Sequence, residues 1–164
     1  MLMLLFQIAD EPWAIAATEV KDLIPLATLQ PYSGSDSSNG TQIAGLLNYH
    51  GEHLPVIDVA HMIARQRTPF ALSTRIAIVE AQSTARKTAS QPDGKIAVTL
   101  AGITAEPAED GGAAFKKRGL ILGRAYETAY LSKTVDLPVS SPYVNATLAG
   151  PEGIVQQLAT ASFF

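Results

Sequence analysis

The chain has 164 residues, enough for a single domain, residues 1–164, with a core of its own. Hydrophobic residues make up 47% and charged residues only 16%, so we expect part of the surface to be apolar and available to partners. A formal net charge of -3 argues against a nucleic-acid partner, since a broad cationic surface is needed to neutralise phosphates. The absence of cysteine excludes disulfides and thiolate metal sites and is compatible with a cytoplasmic location.

The N-terminal residues predict a β-hairpin. Residues 3–9 and 13–17 are apolar and β-compatible, and they lie on either side of the turn signal Asp10-Glu11-Pro12. Residues 1–6 lack the basic region of a signal peptide, so we interpret them as the first strand. No apolar run approaches the roughly 20 residues that span a bilayer, so we expect no direct insertion into a membrane.

A proline and a polar loop follow this hairpin. Residues 23–29 are apolar but contain Pro25, which cannot donate to a β-ladder, so we expect an edge strand or an irregular segment. Residues 30–41 are rich in glycine, asparagine and hydroxyl residues, a composition typical of a mobile loop.

A second hairpin is predicted in the middle of the first half. The apolar runs 44–49 and 54–57 are separated by His50-Gly51-Glu52-His53, and an X-Gly pair between such runs is typical of a tight turn. Asp58 then precedes apolar residues at positions 59, 62 and 63. This i, i+3, i+4 spacing predicts a short helix capped by the Asp58 carboxylate.

The rest of the chain predicts further short strands separated by polar segments. Strands are predicted over 75–81, 96–100, 119–131 and twice within 143–158, a charged loop over 104–118, and a short terminal helix over 159–164. Many short strands with close turn signals favour an all-β barrel architecture with minor helix.

The second hairpin also carries a family resemblance. The signature of CheW-like domains, Gly-Val-Ile-Asn-Leu-Arg-Gly followed by Val-Pro-Val-Ile-Asp-Leu, is similar to residues 45–51 and 54–59 of this chain. Residues 6–15 and 20–24 resemble the first hairpin and the Val-x-Glu-Ile element of that family. The resemblance implies two packed five-stranded SH3-like β-barrels within one CheW-like domain.

The resemblance also implies a function. CheW-like domains are coupling modules of bacterial chemotaxis, so we expect a non-enzymatic, cytoplasmic adaptor that is recruited to membrane receptor arrays through its partners. Those partners would be the cytoplasmic tip of a methyl-accepting chemoreceptor and the regulatory domain of a CheA-type histidine kinase. No cofactor, metal or catalytic residue is expected for such a role.

The candidate partner-binding residues come from the Val-x-Glu-Ile element and from the second hairpin. They are Val20, Asp22, Ile24, Asn48, Tyr49, His50, Gly51, Leu54 and Ile57. Core packing is the alternative for the four aliphatic members of this set.

His50 is the main departure from the family signature. It stands where the family has arginine, and Asp22 stands where the family has the glutamate that pairs with that arginine. The resemblance therefore predicts an Asp22–His50 pair, weaker than a bidentate arginine pair, unless both side chains are simply solvated. The departure favours a specialised adaptor of an alternative pathway, such as surface sensing or pilus motility.

Enzymatic chemistry finds little support in the sequence. It contains no Gly-x-Ser-x-Gly elbow, no phosphate-binding glycine loop with lysine, and no His-Glu-x-x-His. The alternative is a metal-dependent small-molecule module whose ligands would be His50, His53, Asp58 and His61, since imidazole and carboxylate groups bind zinc.

Overall fold

The structure, a computed structural model, describes residues 1–32, 41–81, 116–131, 134, 135, 138, 141–151 and 153–164. Within these ranges the chain forms nine strands, one α-helix and two 3-10 helices. The strands are β1 (Leu2–Ile8), β2 (Glu11–Ala16), β3 (Val20–Pro25), β4 (Ile43–Tyr49), β5 (Glu52–Asp58), β6 (Arg75–Glu80), β7 (Lys117–Tyr130), β8 (Val144–Gly150) and β9 (Gly153–Leu158). Helix α1 is Val59–Ala64, and the 3-10 helices are Ala17–Glu19 and Thr160–Phe163.

The N- and C-terminal strands form one closed barrel, which we call barrel A. Its strand order is β7-β1-β2-β9-β8, with β9 parallel to β2 and the other neighbours antiparallel. The chain beyond β7 closes the ring, because Thr134 bridges to Leu148 in β8 and the amide of Val135 donates to the carbonyl of Thr147 at 2.8 Å.

The middle strands form a second closed barrel, barrel B. Its order is β3-β6-β7-β5-β4, with β5 parallel to β7. Here the chain beyond β3 closes the ring. The amide of Gln30 donates to the carbonyl of Leu46 in β4 at 2.8 Å, and the amide of Leu46 returns a bond to the carbonyl of Gln30 at 2.9 Å.

Strand β7 belongs to both barrels. Over its first half, residues 117–122, it pairs with β6 in barrel B, and over its second half, residues 123–130, it pairs with β1 in barrel A. The backbone changes direction near the junction, where Arg124 has φ 46°. The described residues thus form two five-stranded barrels that share one strand, and the predicted all-β fold with minor helix is confirmed.

The barrels also share a core, because several strands bury both faces. In β1, Met3 and Leu5 point into barrel A, whereas Leu4 and Phe6 pack in a central cluster between the barrels. Successive side chains of a strand point to opposite faces, so a strand sandwiched between two cores has a continuous apolar run instead of an alternating one. This explains the almost uninterrupted burial of β1.

Helix α1 belongs to this central cluster. Val59, Ala60 and Met62 are buried there, beside Ala77 and Val79 of β6. The neighbouring residues of β6 point instead into barrel B. The same alternation places strand residues of each barrel against the other, so the two barrels are joined by packing as well as by the shared strand.

The predicted hairpins and the helix are confirmed, with corrections to some boundaries. The first turn is Ala9-Asp10, with φ 49° and 67°, while Pro12 lies within β2 and pairs with Gln7. The residues predicted to end a charged loop, 117 and 118, instead begin β7, and Arg118 is only 6% exposed. The strand predicted over 96–100 and most of the loops predicted over 30–41 and 104–118 lie outside the described residues.

Candidate partner-binding surface

The turn of the second hairpin has a geometric basis in its sequence. Tyr49 of β4 pairs with Glu52 of β5, which leaves a two-residue loop with φ 51° at His50 and 84° at Gly51. Two consecutive positive φ angles match the right-handed twist of the strands, and glycine adopts them without steric cost. The side-chain oxygen of Asn48 accepts a bond from the amide of Gly51 at 3.1 Å and so stabilises the turn.

The hairpin is joined to β3 by a side-chain hydrogen bond. The hydroxyl of Tyr49 donates to Asp22 Oδ2 at 2.9 Å, and Asp22 Oδ1 accepts from the amide of Leu23 at 2.8 Å. The bond to the Asp22 carboxylate raises the pKa of the Tyr49 phenol, and partial desolvation and the negative charge of Asp22 act in the same direction.

The predicted Asp22–His50 pair is wrong. Asp22 is bonded to Tyr49, and no hydrogen bond or ion pair joins it to His50 in the described part of the chain. The imidazole of His50 lies edge-on to the ring of Tyr49, with the ring centroids 4.3 Å apart and the planes at 76°. The shorter side chains at positions 22 and 50 leave room for the tyrosine hydroxyl to take the place of a direct pair.

Two of the candidate partner-binding residues are core residues. Leu54 is 3% exposed in the core of barrel B, and Ile57 is fully buried in the central cluster. Their side chains follow the inward positions of β5, so the alternative of core packing holds for both. Val20 and Ile24 are half-buried and pack against the central cluster and the barrel B core respectively.

The outward face of β3 was missed by the sequence reasoning. Val20, Asp22 and Ile24 share the half-buried face, whereas Lys21 and Leu23 are exposed. Leu23 is a large aliphatic residue that adjoins Asp22 and remains accessible to a partner. The period-2 alternation of strand residues could have identified it.

Two ion pairs lie around this surface. Lys117 Nζ is 3.3 Å from Glu52 Oε2, and Lys21 Nζ is 3.6 Å from Glu80 Oε2. All four side chains are largely exposed, so the pairs contribute little to stability, and their charges remain available to partners. Sequence reasoning could not find them because each joins strands that are distant in the chain.

The alternative metal site is not assembled. Both carboxylate oxygens of Asp58 are engaged, since they accept from the amide of His61 at 3.3 Å and from the amide and hydroxyl of Thr68 at 2.9 and 2.6 Å. His50 and His53 lie at the other end of β5. Across the ranges that the structure describes, no group of three or more histidine, aspartate or glutamate side chains is placed to hold a metal ion.

The surface contains exposed polar groups on a rigid pair of barrels, an arrangement typical of protein-interaction domains. In the described residues, no helix has the length and apolar character needed to cross a membrane. The geometry therefore defines an all-β interaction module built around the second hairpin.

Comparisons with known proteins give the family. The model of the CheW-like domain matches residues 2–104, so the chain belongs to the CheW-like domain family. The fold is similar to that of the scaffolding protein TtCheW from Thermoanaerobacter tengcongensis, with a TM-score of 0.69 and 15% identity over 99% of this chain and 86% of that chain. No curated protein matches the chain. CheW-like domains are scaffolds of chemotaxis systems and not enzymes, which supports a scaffold role at that level.

Proposed function

We propose that this protein is a cytoplasmic adaptor that couples chemoreceptors to a CheA-type histidine kinase. The observation that carries the proposal is the Tyr49–Asp22 hydrogen bond, which holds the hairpin with the family signature against β3. Together with the family membership of the chain, it supports a preorganised docking surface that includes Asp22, Leu23, Asn48, His50 and Gly51.

The architecture supports coupling by geometry. The two barrels share β7 and a buried central cluster, so surfaces on the two barrels keep a fixed relation to each other. One surface would engage the regulatory domain of the kinase and another the cytoplasmic tip of a receptor. Two modest contacts on one rigid body raise the effective concentration of the second partner once the first is bound.

His50 supports a role in an alternative chemosensory pathway, such as surface sensing or pilus motility. An imidazole edge-on to Tyr49 offers at most two donors and is charged only when protonated, whereas an arginine offers a fixed cationic fork. A partner that recognises this hairpin therefore needs a complementary surface that does not depend on a permanent positive charge.

Binding measurements test the proposal. The purified protein is titrated with a CheA-type regulatory domain and with a receptor cytoplasmic hairpin from the same genome, without metal or nucleotide. We expect saturable binding to each and a ternary complex. His50→Arg should leave the circular dichroism spectrum unchanged and alter the affinity for at least one partner, while Asp10→Ala in the exposed turn of barrel A serves as the matched control. A folded protein that binds neither partner would overturn the proposal.

A further inference from the structure

A groove lies at the end of barrel B away from the His50-Gly51 turn. It has a volume of about 780 Å³ and forms where the chain beyond β3, the start of β4 and the loop between α1 and β6 meet. Its apolar lining is provided by Leu26, Leu29, Ile43, Phe70, Leu72 and Ile121. Ile43 and Tyr49 are at opposite ends of β4, and a strand rises about 3.3 Å per residue, so the groove is a separate site from the surface around Tyr49.

Two large apolar side chains stand almost bare at the rim of this groove. Phe70 is 89% exposed and Leu72 is 97% exposed. The loop that carries them is fastened on both sides. The amide and hydroxyl of Thr68 bond to Asp58, and the hydroxyl of Thr74 donates to the carbonyl of Pro69 at 2.8 Å. The exposure is thus built into the loop, and a partner would recover the hydrophobic free energy of covering both side chains.

The charge around the groove has one sign. Residues 59–79 contain three arginines and one histidine but no aspartate or glutamate. Arg75 donates to the carbonyls of Leu72 and Thr74, whereas Arg65 and Arg67 are exposed and unpaired with any carboxylate of the described residues. Asp58 lines the groove, but its oxygens are already engaged by Thr68. The groove therefore complements a ligand with both apolar and anionic groups.

We propose that this groove binds an acidic amphipathic helix of a partner protein, at a site separate from the one proposed for the kinase and the receptor. A helix with an apolar i, i+3, i+4, i+7 stripe would place that stripe between Leu26, Leu29 and the rim residues Phe70 and Leu72, with carboxylates toward Arg65 and Arg67.

The shape of the site favours a helix over the other occupants. A groove surrounds an apolar stripe on more than one side, whereas a bilayer presents a flat surface. A second copy of the chain is also less suited, because in the described residues its α-helix is the six-residue α1, whose apolar face is buried in the central cluster.

A designed peptide tests the proposal on the full chain. The probe is a labelled helical peptide of about 18 residues with leucines in an i, i+3, i+4, i+7 stripe and glutamates on both flanks. We expect saturable binding by fluorescence anisotropy that weakens about tenfold or more in Phe70→Ser/Leu72→Ser and about tenfold in Arg67→Glu, differences well within the range of the assay. Ile154→Ser, at a 53% exposed aliphatic residue of barrel A, is the matched control and should leave binding unchanged.

Three results would overturn the proposal. The first is equal binding of a scrambled peptide or of one with lysines in place of the glutamates. The second is cosedimentation with phosphatidylglycerol vesicles that is lost in Phe70→Ser/Leu72→Ser while the peptide fails to bind, which would assign the loop to a membrane. The third is a dimer in sedimentation velocity that the same double variant dissociates. His50→Arg should not affect peptide binding, so failure here is distinguishable from failure of the adaptor proposal.

Discussion

Tyr49 and Asp22 are 27 residues apart in the chain, and the hydroxyl of the first donates to the carboxylate of the second at 2.9 Å. Strands β3 and β4 lie on either side of the seam that closes barrel B. The backbone bonds between Gln30 and Leu46 fasten that seam at one end, and the Tyr49–Asp22 bond fastens it at the other. A single side-chain contact therefore positions the hairpin relative to the exposed face of β3.

This contact predicts an observable titration. The hydrogen bond to the Asp22 carboxylate is the main cause of the raised pKa of the Tyr49 phenol. A raised pKa in the folded state means that the bond stabilises the fold below the ordinary pKa of 10.0 and that this contribution is lost as the pH rises through the folded-state pKa. Asp22→Asn should lower the pKa of Tyr49 toward its ordinary value, as measured by ultraviolet difference titration against Tyr49→Phe. An unchanged pKa in Asp22→Asn would contradict this assignment.

Asp58 is predicted to be the most important capping residue of the described chain. Its carboxylate caps α1 and also fastens the loop at Thr68. Asp58→Ala should lower the free energy of unfolding by about 1–3 kcal/mol, because a helix cap and a charge-assisted bond are both lost. Urea unfolding measures the effect, with Asp10→Ala as a surface control. A loss as small as that of the control would show that the cap contributes little.

Gly45, the first glycine of the family signature, is predicted to be intolerant of a side chain. A Cβ atom there would lie 2.8 Å from the carbonyl oxygen of Gln30 and 2.8 Å from Leu29 Cβ. Gly45→Ala should therefore push the chain beyond β3 away from β4 and destabilise the protein by about 1–3 kcal/mol. Thermal unfolding followed by circular dichroism checks this, and hydrogen exchange should show faster exchange at the amides of Gln30 and Leu46. Wild-type protection of both amides would contradict the proposed displacement.

Trp13 is buried in the central cluster, and its indole N–H has no acceptor among the described residues. Trp13→Phe removes both some volume and this unsatisfied donor, so the two effects should nearly cancel and change the free energy of unfolding by less than about 1.5 kcal/mol. Trp13→Ala leaves a large cavity and should cost about 3–5 kcal/mol. Denaturant unfolding by circular dichroism distinguishes them, and similar losses in both variants would mean that the indole N–H is satisfied.

Glu19 predicts a pH-dependent stability. Partial burial raises the pKa of its carboxyl above 4.5, and this outweighs the lowering effect of the hydrogen bond from Thr160, which measures 3.1 Å. The folded state thus holds the proton more tightly than the unfolded state, and stability is lost as the pH rises from below 4.5 through the folded-state pKa. Glu19→Gln should be more stable than the wild type at neutral pH, and the difference should vanish below pH 4.5 in urea unfolding. A difference that does not depend on pH would contradict this.

Local structure was largely readable from the sequence because its causes are local. The His50-Gly51 turn needs positive φ angles that glycine provides, and the Asp58 cap needs a carboxylate just before an apolar helical face. These signals, together with the family signature, predicted the second hairpin, helix α1 and the all-β class.

The contacts that define the surface were decided only by the tertiary structure. Asp22 pairs with Tyr49 because the closure of barrel B brings β3 beside the end of β4, and no spacing along the chain specifies which of two adjacent side chains, Tyr49 or His50, reaches the carboxylate. Leu54 and Ile57 became core residues for the same reason, since a strand shared between cores buries both of its faces. Short-range preferences fix turns and caps, whereas the partners of a side chain depend on which distant strands the fold brings together.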